Sequence, residues 1–189
     1  MKFRRFLLAS VLLLLAGESN AKDIVLIDAS RPASEKKALL ILPGFGSISH
    51  GVKHLRDYYR DQGYDLFIPD YISRKSVAQC TENLDAFLQE HQLQAYSEVH
   101  VLSYLIGAWS FNTWLEKSSL INLKSIVYDR SPMQERAPAV LVNDSPAFAK
   151  LVGGKTIQDM AGIPYPTRVH PDGVHVGLII ETKPTKLIL

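Results

Sequence analysis

The chain has 189 residues, 47% of them hydrophobic and 21% charged, with 21 Lys and Arg against 19 Asp and Glu. That balance belongs to a globular protein large enough for one well-formed core, and it lacks the basic surplus that nucleic acid demands. A single cysteine, Cys80, excludes any intramolecular disulfide.

Met1 to Ala21 stands apart from the rest of the chain. Lys2, Arg4 and Arg5 precede an apolar run from Phe6 to Ala16, and Ser19-Asn20-Ala21 forms a small-residue cleavage site. The run is too short for a bilayer, which needs about 20 apolar residues. The segment reads as an export signal cut after Ala21, which leaves residues 22–189 as one domain in the periplasm or outside the cell. Cleavage removes three basic residues and Glu18, so the remaining chain carries 18 charges of each sign. Nothing in that balance favours an anionic membrane surface. No cysteine comes after the apolar run to carry a lipid anchor, and no transmembrane span is expected in the mature chain.

Asp23 to Asp28 reads as a first strand near a sheet edge. The run Ala38-Leu39-Leu40-Ile41-Leu42 suits a strand buried on both faces, as in a parallel sheet. It ends in the turn-forming loop Pro43-Gly44-Phe45-Gly46-Ser47. Val52, Leu55, Tyr58 and Tyr59 then recur at helical spacing, with Gly63 as the C-terminal cap. A strand at Asp65 to Pro69, a loop through Asp70-Tyr71 and a helix from about Lys75 to Gln92 come next. On that helix Cys80 shares a face with Val77, Leu84 and Phe87, where it fills core.

Val99-His100-Val101-Leu102 reads as a central strand, and Ala108, Trp109, Phe111, Trp114 and Leu115 supply the apolar face of a helix to about Lys117. Leu123 to Tyr128 is a further strand. Alternation of strand and helix implies a parallel sheet with right-handed crossovers. Beyond Asp129 the pattern loosens. Ala139 to Val142 fits strand or helix, and Ser145 to Leu151 is helix-like and ended by Gly153-Gly154. Gly162 to Gly173 holds three prolines and reads as loop, Val174 to Glu181 as a late strand, and Lys186 to Leu189 as a short tail.

Between the central strand and its helix lies Ser103-Tyr104-Leu105-Ile106-Gly107, which resembles the G-x-S-x-G elbow of the α/β-hydrolase superfamily. The resemblance covers roughly Lys37 to Arg136 and implies a three-layer α/β sandwich around a mostly parallel sheet of five or six strands. Gly107 and Ala108 keep the close-packing half of the motif. Leu105 falls where the nucleophilic serine belongs, and leucine has no nucleophilic atom. The Pro43-Gly44-Phe45-Gly46 loop resembles the turn that gives the family one oxyanion-hole amide. The matching donors here are the backbone N–H groups of Phe45 and Ile106.

Ligands of α/β sheets sit at the carboxyl ends of the strands, which points to Gly44, Phe45, Gly46, Tyr104, Leu105, Ile106 and Asp129. Asp129 matches the place where some of these families carry the triad acid, although pairing with Arg130 or Arg136 explains it equally. His170 and His175 flank Pro171-Asp172-Gly173, and His175 is the candidate base by its order in the chain. His175 also alternates with Val174 and Val176, as a residue projecting from a strand into solvent would. Ser103 and Ser131 are the serines left to act as a displaced nucleophile, each equally readable as a turn residue. His50 and His54 share one face of the first helix and suit solvent. No third ligand joins the late histidines, so no metal site is expected, and no cofactor is called for.

Three readings are open. The first is an exported, degenerate hydrolase-fold protein that binds a small or lipid-like ligand in the former active-site cleft. The second is an active ester, thioester or lipid hydrolase using Ser103 or Ser131 with Asp129 and His175. The third is a divergent copy with no retained activity, since little chain remains after the late strand for a final strand, helix and histidine loop.

Overall fold

The computed structural model describes residues 23–45, 49–129, 137–166, 170 and 172–180, with 49, 50 and 137 described by backbone alone. The expected export signal, Gly46, Arg130, Ser131, Arg136 and the tail Lys186 to Leu189 lie outside the described residues.

Six strands form one sheet: β1 (Ile24–Leu26), β2 (Lys37–Leu42), β3 (Tyr64–Ile68), β4 (Glu98–Tyr104), β5 (Leu123–Asp129) and β6 (His175–Ile179). Their spatial order is β1-β3-β2-β4-β5-β6. Among the described residues, only β1, at an edge, runs antiparallel to its neighbour; the other pairs are parallel. The central strands carry apolar residues in unbroken runs because helices cover both of their faces. Ala38, Leu40, Leu42, Phe67, Val101, Ile126 and Tyr128 point to one face. Leu39, Ile41, Leu66, Ile68 and Leu102 point to the other.

Helix α1 (Ser49–Tyr59) covers the second face through Val52, Leu55 and Tyr59. Tyr58, expected on the same side, is turned out and exposed. The first face receives α2 (Val77–Glu90) and α3 (Ile106–Lys117), which pack against each other. Ser76 starts α2 by accepting the Gln79 N–H at 3.0 Å, the N-cap bond that serine supplies. Cys80 is fully buried, as its helical spacing predicts, and burial pushes its thiol pKa up. The architecture is a three-layer α/β sandwich.

Past β5 the chain forms α4 (Ala137–Asp144), which settles Ala139 to Val142 as helix, and then α5 (Pro146–Gly162). The expected stop at Gly153-Gly154 is instead a kink. Gly154 adopts φ +60° beside Arg74, and a Cβ there would lie 2.6 Å from the Arg74 carbonyl oxygen. The helix restarts because that carbonyl accepts the Lys155 N–H at 2.9 Å and the Ser73 carbonyl accepts the Thr156 hydroxyl at 2.6 Å. The Arg74 guanidinium in turn donates to the Lys150 and Leu151 carbonyls, which the kink deprives of helical partners.

At the start of β2, Lys36 is buried and donates to the Asp65 carboxylate and the Asp28 carbonyl, both at 2.6 Å. Asp65 also accepts the Tyr96 hydroxyl at 2.7 Å and the Asp28 N–H at 2.9 Å. This network pins β1, β2, β3 and the turn before β4 at the amino end of the sheet. Every bond in it serves architecture.

Candidate functional site: the strand-to-helix elbow at Leu105

At the carboxyl end of β4 the chain turns into α3 within one residue. Leu105 makes that turn at φ +43°, ψ −107°, a conformation far from the basins open to side-chain-bearing residues. Such a residue stores of the order of 1–3 kcal/mol of strain and persists only where its surroundings over-determine it. Here they do. Gly107 presses α3 against β2 so closely that a Cβ on it would lie 2.7 Å from the Leu42 carbonyl oxygen. Tyr71, fully buried, donates its hydroxyl to the Pro43 carbonyl at 2.6 Å and holds the end of β2 beside Gly107.

The side chain of Leu105 is 43% exposed, which is unusual for a leucine framed by core residues. Gly44 lies against it: a Cβ at Gly44 would be 3.5 Å from the Leu105 Cβ and from the Tyr104 carbonyl oxygen. The loop after β2 and the elbow therefore meet, which brings the chain segments carrying the Phe45 and Ile106 amides to one corner. Phe45 is half-buried against the core, and the Ile106 side chain is fully buried, so Ile106 offers that corner only its backbone.

Leucine is the wrong residue for this turn on conformational grounds. Replacing Leu105 with glycine is expected to raise stability by about 1 kcal/mol, the relieved strain exceeding the added freedom of the unfolded chain. Urea unfolding of the two proteins measures this. A less stable Leu105→Gly variant would show that packing of the leucine outweighs the strain.

The other candidate residues scatter. Ser103 is completely buried, and its hydroxyl lies 3.5 Å from the Val127 carbonyl, across the strand pair rather than at the corner. Tyr104 faces the α1 side of the sheet, where it lines a groove of about 390 Å³ with Tyr59, Tyr64, His100 and Ile179. Asp129 ends β5 in register with Tyr104, one residue before the elbow, and is largely buried. His175 is far from it. In the β5–β6 register Asp129 faces Ile179 while His175 faces Ser125. Four residues at about 3.3 Å each place His175 near the opposite end of the strands. His175 is exposed, so the acid and base matched by order in the sequence are not assembled at the elbow. Ser131, the second serine candidate, and Gly46 lie outside the described residues. His54 is exposed, as expected of the first helix, while His50 is described by its backbone alone.

Of the two late histidines, His170 is the one tied into the fold. Its Nε2 lies 2.8 Å from the Tyr128 hydroxyl, which donates to the Asn112 side-chain oxygen at 2.8 Å. The Asn112 amide group donates to the Tyr165 hydroxyl and the Pro166 carbonyl, which fixes its oxygen as the acceptor. Tyr128 thus donates to Asn112 and stands within hydrogen-bond distance of His170 Nε2, so one hydroxyl joins the two side chains. Burial pushes the Tyr165 hydroxyl pKa up to about 12. This network joins β5, α3 and the loop before β6, and nothing in the spacing of these four residues announces it.

Among the described residues no three His, Cys, Asp or Glu converge as a metal site would need. No described helix is long and apolar enough to cross a membrane.

No family model and no curated protein matches the chain. Solved structures do. A lipase-esterase related protein from Clostridium acetobutylicum superposes with a TM-score of 0.50 at 10% identity, over 85% of this chain and 90% of its own. A thermophilic esterase from Thermogutta terrifontis gives 0.49 at 13% identity over 84% and 80%. Est1E from Butyrivibrio proteoclasticus gives 0.45 at 12% identity over 62% of this chain, which spans half of Est1E's length. Identities this low speak for architecture alone. With the strand order, the crossovers and the elbow between β4 and α3, the superposition on the lipase-esterase related protein makes this chain a protein of the α/β-hydrolase fold.

Proposed function

We propose that the chain is a non-catalytic binding protein of the α/β-hydrolase fold, exported after cleavage near Ala21, that holds a small or lipid-like ligand at the elbow corner. The observation that carries this reading is Leu105, strained and 43% exposed in the place of a nucleophile. A hydroxyl there would react with an ester carbonyl; an isobutyl group can only pack against one. Gly44, Phe45 and Leu105 give the corner an apolar lining, the usual character of a small-ligand site. The hydrolase alternative draws no support from Ser103, which is buried, or from His175, which stands four strand positions from Asp129.

Thermal unfolding with methyl decanoate as probe tests the reading. A ligand at 100 times its dissociation constant stabilises a protein by about 2.7 kcal/mol, so a saturable rise in Tm is expected. Leu105→Glu is expected to abolish that rise, and the ester is expected to remain intact. No rise with the native protein, or loss of the ester during incubation, would contradict the proposal.

A further inference from the structure

The two edges of the sheet are built differently. β1 is three residues long, half-buried throughout and bracketed by Asp23 and Asp28. Short length and flanking charge are the usual means by which an edge strand discourages further pairing. β6 has neither. From Val174 to Ile180 it holds no Pro, Asp, Glu, Lys or Arg. Val176, Leu178 and Ile179 are about half exposed and Ile180 is 75% exposed. Among the described residues, no strand pairs with its outer side.

One face of this edge is apolar throughout, and the other ends in Ile179. Val174 packs on the core beneath α3, so Val174, Val176, Leu178 and Ile180 share that side of the sheet. Ile179 lines the groove on the α1 side, which it shares with Gly177 and His175. An unprotected strand of this kind is a template for another strand.

We propose that β6 pairs antiparallel with β6 of a second copy of this chain, about a two-fold axis through Gly177. A strand edge is self-complementary under such an axis, so one patch serves both copies. The register sets Val176 opposite Leu178 of the second copy, Val174 opposite Ile180 and His175 opposite Ile179. Each is an apolar cross-strand pair or a histidine against isoleucine, and no like charges face each other. Gly177 meets itself on the axis, and because side chains of a pleated strand stand off the two faces of the sheet, a residue placed there faces its own copy without blocking the pairing. Two six-stranded sheets become one of twelve strands, and the half-exposed side chains of β6 acquire neighbours.

Sedimentation equilibrium across a wide range of protein concentration tests this, comparing the native chain with Leu178→Lys. The native chain is expected to dissociate from dimer to monomer on dilution. Leu178→Lys, whose lysine remains on an exposed strand, is expected to be monomeric with an unchanged circular dichroism spectrum. A second variant reads the register: Gly177→Cys, oxidised by copper phenanthroline, is expected to form a disulfide-linked dimer, the two thiols giving their electrons to copper(II). Ile27→Cys, at an exposed site beside the opposite edge of the sheet, is expected not to. A native chain that is monomeric throughout would overturn the proposal, as would a dimer indifferent to Leu178→Lys. Hydrogen-exchange protection, in the monomer, of the β6 amides that face away from β5 would mean that the chain covers its own edge, and would overturn it as well.

Discussion

Replacing Asp65 with alanine is expected to destabilise the protein by about 3–5 kcal/mol, the range for breaking a buried ion pair by removing one partner. Lys36 would remain buried with its ammonium facing an empty site, while the Tyr96 hydroxyl and the Asp28 amide would also lose their acceptor. For a chain of this size the loss corresponds to a fall in Tm of roughly 10 °C. Tyr96→Phe removes one neutral-to-charged hydrogen bond and leaves the ion pair, so it is expected to cost only about 1.5–3 kcal/mol. Calorimetry of both variants ranks the two effects. An Asp65→Ala protein no less stable than Tyr96→Phe would mean that water replaces the carboxylate at little cost.

Gly107→Ala is expected to destabilise by about 1–3 kcal/mol, through overpacking. The added methyl would lie 2.7 Å from the Leu42 carbonyl oxygen and 2.8 Å from the Leu42 Cβ, and main chain cannot turn aside as a flexible side chain can. Helix α3 would have to move off β2, carrying the elbow with it. The same substitution at Gly51, within α1, meets nothing within 4 Å and is expected to stabilise by up to about 1 kcal/mol, since alanine is the better helix former. Opposite signs for one substitution in two helices isolate close packing as the cause. Urea unfolding reads both, and a stabilising Gly107→Ala would contradict the tight approach of α3 to β2.

Much of the scaffold was legible in the sequence because burial writes itself plainly. Ala38 to Leu42 could be placed at the centre of a parallel sheet because every side chain in it is apolar, and a strand covered on one face alternates instead. The elbow was legible because its small residue, Gly107, is required by a close approach that any such turn repeats. What remained hidden was set by contacts between distant segments. Gly154 looked like a helix end, and it becomes a kink only because Arg74 and Ser73, some eighty positions earlier, supply the partners for a restart. Tyr58 and Tyr59 both fit the helical repeat, and the exact rotation of α1 over the sheet decides which one is buried.

The candidate site shows the same division. Local pattern alone could place Leu105 between the central strand and its helix, where it makes the turn with a strained backbone and 43% exposure. The base could not be placed that way. His170 and His175 are five residues apart around one turn, and the strand register that exposes one and ties the other to Tyr128 is invisible locally. Asn112 and Tyr165 carried no signal either, since neither type at those positions departs from ordinary core or loop composition.

The central claim is that a hydrolase scaffold here presents leucine where its chemistry would need a nucleophile. The most direct test is to incubate the folded chain from Lys22 onward with a fluorophosphonate and read its intact mass. An unmodified mass is the predicted result, because Leu105 has no atom that can attack phosphorus and Ser103 is buried. A single covalent adduct, mapped by peptide digestion to Ser103 or Ser131, would contradict the account and make the protein a hydrolase with a displaced serine.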